Sequence, residues 1–241
     1  MQDEEKLKEN ILWQEVMSGV SKETLSLSPY FAHQIKGDIR HLLFTFARYK
    51  FAARLLGDSP RLTVLELGCN EGLGTLHLAQ VSSRTVAVDF DEQAISWAQA
   101  NLGRDGLKYV AADFLGQHFG SFDAVVSLDV IEHIEQKKER VFLQTMVDNL
   151  HEGGFALVGT PNITAAVYAS EASRKGHINL YDHQRLKDLF LQEFHNVFLF
   201  GMNDEVLHTG FLPMCHYIFV LGCNKRGRNK LVRNGLGGER D

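Results

Sequence analysis

The segment VLELGCNEGLGTLHLA, residues 64–79, joins an apolar run to a helical pattern through a turn that contains three glycines. Glycine lets a backbone turn tightly and approach a ligand without a Cβ atom in the way. In open α/β sheets, ligands bind where such turns leave the carboxyl ends of the strands. The segment therefore predicts a strand, a ligand-binding turn and a helix, with Glu66 just before the turn.

The apolar pattern around this turn predicts a layered α/β fold. Short apolar runs alternate with helical patterns from residue 62 onward, as in RTVAVDF, LKYVAAD, FDAVVSLDV and FALVGTP. Runs that are apolar at consecutive positions suit strands buried on both faces of a parallel sheet. NVFLFGM and CHYIFVLGC are too close together for a helical crossover and predict an antiparallel hairpin. We expect a Rossmann-like, doubly wound seven-stranded sheet, mostly parallel, with a C-terminal antiparallel hairpin and N-terminal helices.

The chain divides into three regions by composition. Residues 1–58 form a predicted helical cap, because apolar residues recur at helical spacing over residues 3–20 and 38–57. Residues 59–224 carry the α/β pattern. Residues 225–241, KRGRNKLVRNGLGGERD, lose apolar content and are predicted to form a basic flexible tail.

Composition limits the function classes. With 241 residues and 44% hydrophobic content, the chain can bury one substantial core. Its net charge of -5 does not favour a nucleic-acid partner. Cys69, Cys215 and Cys223 lack metal-type spacing, which indicates reduced thiols in a cytoplasmic protein. The charged start and the lack of a long apolar run predict neither a signal peptide nor a membrane span.

Two kinds of cofactor compete for the glycine-rich turn. The dinucleotide fingerprint Gly-x-Gly-x-x-Gly would need glycine at positions where the chain has Asn70 and Leu73. The observed order, E-x-G-x-x-x-G-x-G, resembles the first motif of class I S-adenosylmethionine-dependent methyltransferases. The resemblance implies that S-adenosylmethionine is the methyl donor and S-adenosylhomocysteine the product.

Later motifs extend this resemblance in the same order along the chain. AVDF ends the second predicted strand with Asp89, where the family places an acid on the ribose hydroxyls. A carboxylate suits that role because it only accepts hydrogen bonds. AADF contains Asp113, which in the family faces the adenine amino group, with Phe90 and Phe114 flanking the ring. FDAVVSLDVIEHI and LHEGGFALVGTPN resemble the fourth strand and the turn into the fifth. The implied donor site comprises Glu66, Gly68, Cys69, Asn70, Gly72, Gly74, Asp89, Phe90, Asp113, Phe114 and Leu128.

Candidate catalytic residues follow the fourth strand, in LDVIEHIE. This acidic stretch ending in Glu132 and His133 resembles the ubiquinone-biosynthesis O-methyltransferases and relatives that act on small molecules and sugars. Methyl transfer from a sulfonium requires alignment and, for a hydroxyl acceptor, removal of its proton. His133 is the expected base, because its ordinary pKa lies near neutrality, with His177 or His183 as substitutes. Alternatively, Glu132 and His133 only shape the wall of the pocket.

The same stretch also resembles the metal-binding segment of small-RNA 3'-terminal 2'-O-methyltransferases. That resemblance implies a divalent ion held by Asp129, Glu132, His133 and His177, which would lower the pKa of the acceptor hydroxyl. Two imidazoles suit Mn, Fe or Zn at least as well as Mg. The chain departs from the RNA family because Asp129 replaces its first glutamate.

The segment after the fifth strand, about residues 160–182, is where this class inserts its substrate lid. GHINLYDHQRLKDLF resembles a passage of glycan and secondary-metabolite methyltransferases, which implies that His177, Asn179, Tyr181 and His183 line the acceptor side. In the alternative interpretation, Asp182 caps the next helix and Leu180 and Tyr181 pack beneath it. The N-terminal helices would complete the lid.

The expected function is O-methylation of a small metabolite or a sugar. The alternatives are a metal-dependent 2'-O-methyltransferase of RNA ends, which the acidic charge disfavours, and a non-catalytic module that binds S-adenosylmethionine. N- or C-methylation also stays open, because the donor motifs carry no information about the acceptor. The motifs determine neither the acceptor's identity nor the oligomeric state.

Overall fold

The computed structural model describes residues 2–22, 24–57 and 61–227, with side chains described from residue 10 onward. Most of the predicted tail, 228–241, lies outside the described residues, as does the predicted domain boundary at residues 58 and 59. The division into cap, domain and tail stays a prediction.

Three helices precede the sheet: α1 (Gln2–Ser18), α2 (Pro29–Gly37) and α3 (Ile39–Leu56). Pro29 suits the first turn of α2, because its missing N–H has no partner within the helix there. The Asp38 side chain caps α3 by accepting the Arg40 N–H, and α3 ends at Gly57, with φ of 67°. The sequence pattern predicts α1 and α3 but not the shorter α2.

The strands form one sheet with the order β3-β2-β1-β4-β5-β8-β6-β7. Strands β1 to β5 are parallel, and β8 is antiparallel to both β5 and β6. This arrangement confirms the predicted α/β class and its antiparallel C-terminal strands. The strand bounds are β1 Thr63–Leu67, β2 Arg84–Asp89, β3 Leu107–Ala111, β4 Phe122–Leu128, β5 Leu150–Pro161, β6 Phe194–Asn203, β7 Val206–His208 and β8 Tyr217–Lys225.

The described sheet has eight strands, so the prediction of seven was wrong. The additional strand is β7, which pairs with the last residues of β6. Its three residues are too few to show the alternation by which a strand is recognised in a sequence.

Helices cover both faces of the sheet, as the continuous apolar strands predicted. They are α4 Thr75–Gln80, α5 Glu92–Leu102, α6 Glu139–Asp148 and α8 His183–Phe190, in addition to α3. The short helix α7, Glu171–Gly176, has no buried residue. On one face, the buried residues of β1 and β4 pack with those of α6 and α8. On the other face, α3 packs on the sheet, where the Phe51 ring meets Phe219 at a centroid distance of 4.7 Å. This contact holds α3 over the middle of the sheet.

The described helices show no candidate membrane span. Within residues 2–22, 24–57 and 61–227, none combines the length and the apolar character needed to span a bilayer.

Candidate active site

The glycine-rich turn follows β1 at the carboxyl edge of the sheet, as expected. Gly68 and Gly72 have φ of 82° and 75°, which favours glycine. A Cβ atom on Gly68 would lie 2.2 Å from Cγ2 of Val130, and one on Gly72 would lie 2.4 Å from the Tyr109 ring. These glycines are therefore required by the protein's own packing, and not only by access for a ligand.

Asp89 connects this turn to the end of β2. Its carboxylate accepts the Asn70 N–H at 2.8 Å and the Asp91 N–H at 3.0 Å. Asn70 adopts the left-handed region, with φ of 50°, which asparagine tolerates better than most residues. Each carboxylate oxygen keeps acceptor capacity for a hydroxyl. The structure thus brings Asp89 and the predicted turn together at one edge.

On the adenine side of the donor site, the structure agrees only in part with the residues predicted from the sequence. Asp113 lies exposed after β3, and Phe90 is 75% exposed. Phe114 is instead buried, with its ring in edge contact with Phe142 at a centroid distance of 6.3 Å. Leu128 is likewise a core residue, packed in the cluster that contains Tyr217. Both side chains pack inward, and their contribution to the donor site stays a prediction.

Glu66 lies on β1 and is fully buried. The Tyr49 hydroxyl donates to its Oε1 at 2.6 Å, whereas Oε2 has no partner among the described residues. Burial raises the pKa of this carboxyl to about 7. Burial and the nearby Glu66 raise the pKa of the Cys69 thiol well above its ordinary value. The buried Cys69 side chain therefore packs beside the turn and does not form a thiolate nucleophile.

Arg48 on α3 reaches the acceptor side of this edge. Its Nη1 donates to both carboxylate oxygens of Asp129, at 2.7 and 2.8 Å. The guanidinium also lies 4.0 Å from the centroid of the Tyr217 ring. Asp129 follows β4 directly and has φ of 58°, so the pair holds an unusual backbone conformation at the end of that strand. Sequence reasoning missed Arg48, because it is one of several basic residues on a helical face.

Glu71 holds α2 against the glycine-rich turn. Its carboxylate accepts the Ser28 hydroxyl, the Tyr30 N–H at 3.1 Å and the Phe31 N–H at 3.3 Å. A carboxylate is favoured at this position, because the first N–H groups of a helix lack internal partners. The Ser-Pro pair at residues 28–29 signals the start of a helix, but nothing in the sequence connects it to residue 71.

The predicted metal tetrad is incomplete. Asp129 is bound to Arg48, and the potential ligand atoms of Glu132, His133 and His177 lie within 4.8 Å of one another. The prediction that Asp129 is a fourth ligand was wrong, because the guanidinium from α3 occupies its carboxylate. The other three residues are brought together as predicted.

Glu132 is fully buried in the short 3₁₀ helix after β4. Its Oε2 accepts the Thr160 hydroxyl at 3.0 Å, and Oε1 has no partner within the described part of the chain. Burial, together with the nearby Asp129, raises the pKa of Glu132 to about 8. The carboxyl therefore carries a proton at pH 7.

The two predicted histidines face each other, with ring centroids 5.0 Å apart. His133 is exposed, and its Nδ1 lies 2.9 Å from the Gly176 carbonyl oxygen. Because a carbonyl only accepts, Nδ1 carries the proton and Nε2 keeps a lone pair. His177 is half-buried, and burial and His133 lower its pKa. Both imidazoles are available at the surface as neutral bases or ligands.

The predicted lid residues divide into two groups. Asn179 and Tyr181 are buried and hydrogen-bonded inside the protein, so the prediction that they line the acceptor side was wrong. Asp182 caps α8 by accepting the Arg185 N–H at 2.8 Å, which agrees with the alternative interpretation. His183 begins α8. Large apolar side chains are exposed along this part of the chain and in the segment before β8: Ile163, Val167, Tyr168, Ile178, Phe211 and Met214.

Comparisons with known proteins agree with this geometry. Residues 65–158 match the family described as "Methyltransferase domain". The ubiquinone biosynthesis O-methyltransferase of Caulobacter vibrioides is 33% identical over 113 residues, which cover 45% of this chain and 44% of that relative. The chain spans about half the length, or less, of the curated relatives that it matches.

Solved structures agree in fold at low sequence identity. The methyltransferase domain of bacterial CtHen1 superposes with a TM-score of 0.62 at 14% identity, covering 75% of this chain and 98% of that one. The N-methyltransferase NodS of Bradyrhizobium japonicum, in complex with S-adenosylhomocysteine, superposes with a TM-score of 0.54 at 20% identity, covering 73% and 85%. These neighbours share the α/β architecture described above.

Proposed function

We propose that this chain, in which residues 65–158 are a class I S-adenosylmethionine-dependent methyltransferase domain, methylates a hydroxyl group of a small metabolite or a sugar. The observation that carries the proposal is one edge of the sheet, where the glycine-rich turn bonded to Asp89 lies near an exposed histidine with a free Nε2. The turn and Asp89 suit a nucleoside donor, and the histidine suits a hydroxyl acceptor. The relatives named O-methyltransferases support the same chemistry.

On the donor side, Asp89 and the exposed main chain of residues 68–74 bind S-adenosylmethionine. Asp89 accepts the ribose hydroxyls with the acceptor capacity that its two backbone contacts leave free. Phe90 lies beside it as an exposed aromatic surface. Asp113 accepts from the adenine amino group.

On the acceptor side, His133 acts as the general base. Its Nδ1–H is held by the Gly176 carbonyl, which points the lone pair of Nε2 outward. The acceptor oxygen attacks the sulfonium methyl group, the C–S bond breaks as the C–O bond forms, and the hydroxyl proton passes to Nε2. S-adenosylhomocysteine and protonated His133 are the products, and the histidine then loses its proton to solvent.

A metal-assisted reaction is the second candidate, and it rests on Glu132, His133 and His177. Their potential ligand atoms lie within 4.8 Å of one another, and Glu132 Oε1 has no partner among the described residues. One carboxylate with two imidazoles suits Mn, Fe or Zn. A bound ion would supply a Lewis acid that lowers the pKa of the acceptor hydroxyl. Glu132 would have to release its proton first, so binding would weaken as the pH falls below about 8. In this arrangement His133 is a ligand and not the base.

The test is methyl transfer from isotopically labelled S-adenosylmethionine to a panel of catechols, phenols and sugars. We expect His133→Ala to reduce turnover about a hundredfold or more, while affinity for S-adenosylhomocysteine changes little, because the base contributes to chemistry and not to donor binding. His195→Ala, an exposed histidine on β6, is the matched control and retains full activity.

Three other outcomes would redirect the assignment. If activity is lost on chelation and restored by Mn²⁺ or Zn²⁺, the metal-assisted reaction replaces general-base catalysis by His133 as the proposed mechanism. Transfer to an RNA 3' end, in place of the panel, would overturn the small-molecule acceptor. Donor binding without transfer to any acceptor would overturn the enzymatic proposal in favour of a binding module.

A further inference from the structure

Four side chains form a closed hydrogen-bonded cluster behind the acceptor side of the cleft. We refer to Glu139, Asn179, Tyr181 and Arg185 as the clamp. Glu139 begins α6, Arg185 lies in α8, and the other two residues belong to the segment between α7 and α8. The clamp therefore joins two helices to the segment that follows His177.

Hydrogen bonds join the four clamp residues to one another and to the backbone of Leu180. The Tyr181 hydroxyl donates to Glu139 Oε2 at 2.7 Å and accepts from Asn179 Nδ2 at 2.8 Å. Arg185 Nη2 donates to the same Glu139 oxygen and to Asn179 Oδ1 at 2.7 Å. Arg185 Nη1 donates to the Leu180 carbonyl at 2.7 Å, and its guanidinium stacks 4.0 Å from the Tyr181 ring centroid.

The clamp reaches the catalytic residues through the backbone. The Asn179 N–H donates to the carbonyl oxygen of Glu132 at 3.0 Å. Three residues earlier, the Gly176 carbonyl accepts from His133 Nδ1 at 2.9 Å. The segment that carries His177 is thus attached to the 3₁₀ helix of Glu132 and His133 at two points, one on each side of His177.

The clamp faces away from the donor edge. Glu139 and Arg185 line a surface pocket of about 420 Å³ with Asp182, Gln184 and Asp188, and a second pocket of about 290 Å³ adjoins it at Gln192. None of the predicted donor or catalytic residues lines either pocket. Glu139 and Arg185 therefore line a pocket separate from the predicted donor and catalytic residues, and the Tyr181 side chain is fully buried.

We propose that Glu139, Tyr181 and Arg185 are positioning residues that set the separation of His177 from Glu132 and His133, and with it the geometry of the acceptor site. The inference rests on the proposed function only for its effect on turnover. A displacement of about 1 Å at a reacting group is enough to lower a reaction rate strongly. A cluster of hydrogen-bonded side chains that fixes the position of His177 would therefore support turnover. One carboxylate oxygen of Glu139 accepts hydrogen bonds from both the Tyr181 hydroxyl and the Arg185 guanidinium. The position of the segment that follows His177 therefore depends on Glu139.

The test compares Tyr181→Phe and Arg185→Lys with two matched controls. Tyr181→Phe removes one hydroxyl and keeps the ring. Arg185→Lys keeps the charge, but a single amine cannot reach Glu139, Asn179 and the Leu180 carbonyl together. The controls are Tyr168→Phe, at a tyrosine that is 83% exposed, and Lys187→Arg on the same helix as Arg185.

The first measurement is the nuclear Overhauser effect between the imidazoles of His133 and His177, recorded on protein with ¹³C-labelled histidine. We expect it to fall about threefold or more in both clamp variants and to stay unchanged in both controls, because the clamp sets this separation. The second measurement is calorimetry with S-adenosylhomocysteine, for which we expect affinity within about twofold of wild type in all four variants.

The outcomes separate the possibilities. An unchanged Overhauser effect in both clamp variants overturns the inference. A parallel loss of donor affinity in both clamp variants also overturns it, because the cluster would then support the whole domain and not the acceptor side. If the wild-type chain binds no S-adenosylhomocysteine, the proposed function fails, while the Overhauser measurement still tests the clamp.

Discussion

Asp89 has two tasks that act through the same carboxylate. It accepts N–H groups from Asn70 and Asp91, which holds the glycine-rich turn against the end of β2, and it keeps acceptor capacity for the donor ribose. We propose that this carboxylate organises the donor site before the donor binds.

We predict that Asp89→Ala weakens S-adenosylhomocysteine binding by about 1 to 3 kcal/mol, or about tenfold to a hundredfold, because charged hydrogen bonds to ribose are lost and the turn is freed. Calorimetry measures the dissociation constants. Asp105→Ala, an exposed acid in the turn before β3, is the control and should match wild type. Equal affinity in the Asp89 and Asp105 variants would remove Asp89 from the donor site.

Glu66 gives the protein a pH dependence of stability with a defined sign. Burial raises its pKa from 4.5 to about 7, so the folded state holds a proton that the unfolded chain releases. The stabilising contribution is complete below about pH 4.5 and is lost as the pH rises through 7.

We predict that Glu66→Gln, which keeps an acceptor for Tyr49 and removes the ionisable group, gains thermal stability relative to wild type between pH 5 and pH 8. The measurement is the difference in melting temperature between variant and wild type at each pH. Glu205→Gln, an exposed change near β7, should show no such trend. A Glu66→Gln difference that is constant with pH would show that the group titrates normally.

At the scale of elements, α2 and α3 are attached to the sheet edge by three acids of the domain. Glu71 accepts from the start of α2, Glu66 from Tyr49 and Asp129 from Arg48. The N-terminal helices therefore contact the candidate site, and their role in completing a lid stays a prediction.

We predict that Glu71→Ala releases α2 while the sheet stays folded, because the variant leaves the first N–H groups of the helix without their acceptor. Hydrogen–deuterium exchange should accelerate about tenfold or more over residues 29–37 and stay unchanged over β4 and β5. Glu193→Ala, before β6, serves as the control. Unchanged protection of α2 would show that its apolar contacts alone hold it.

The elements that the sequence predicts well are those with a local pattern. Helix α3, Ile39–Leu56, lies within the span 38–57 predicted from its apolar spacing, and the alternation of strands and helices gives the correct parallel core. Strand β7 and helix α2 are short, so their periodicity is weak. A sequence pattern predicts a helix or strand only when the element is long enough for its periodicity to repeat.

The same distinction between local pattern and distant contacts separates the parts of the candidate site that the sequence predicts from those that it does not. The turn at Gly68 and the acid Asp89 follow consecutive elements, and motif spacing alone identifies them. The Arg48 contact with Asp129 joins residues that are 81 positions apart, and the inward rotation of Phe114 depends on its packing with Phe142. Such contacts depend on how distant elements meet, and single-sequence patterns carry no record of that.

At the scale of the whole molecule, the glycine-rich turn, Asp89 and the segment that follows β4 meet at the carboxyl ends of the central parallel strands. Helices α2 and α3 contact this edge through Glu71 and Asp129, and the segment between β5 and α8 contacts it through Gly176 and Asn179. The match to the methyltransferase family covers residues 65–158. His177 and the clamp lie outside the matched residues, except for Glu139.

Calorimetric titration of the wild-type chain with S-adenosylhomocysteine, and separately with NAD⁺, tests the central claim most directly. The account predicts one S-adenosylhomocysteine per chain with a dissociation constant on the order of micromolar, and no heat from NAD⁺. Binding of NAD⁺ with no response to S-adenosylhomocysteine would contradict it.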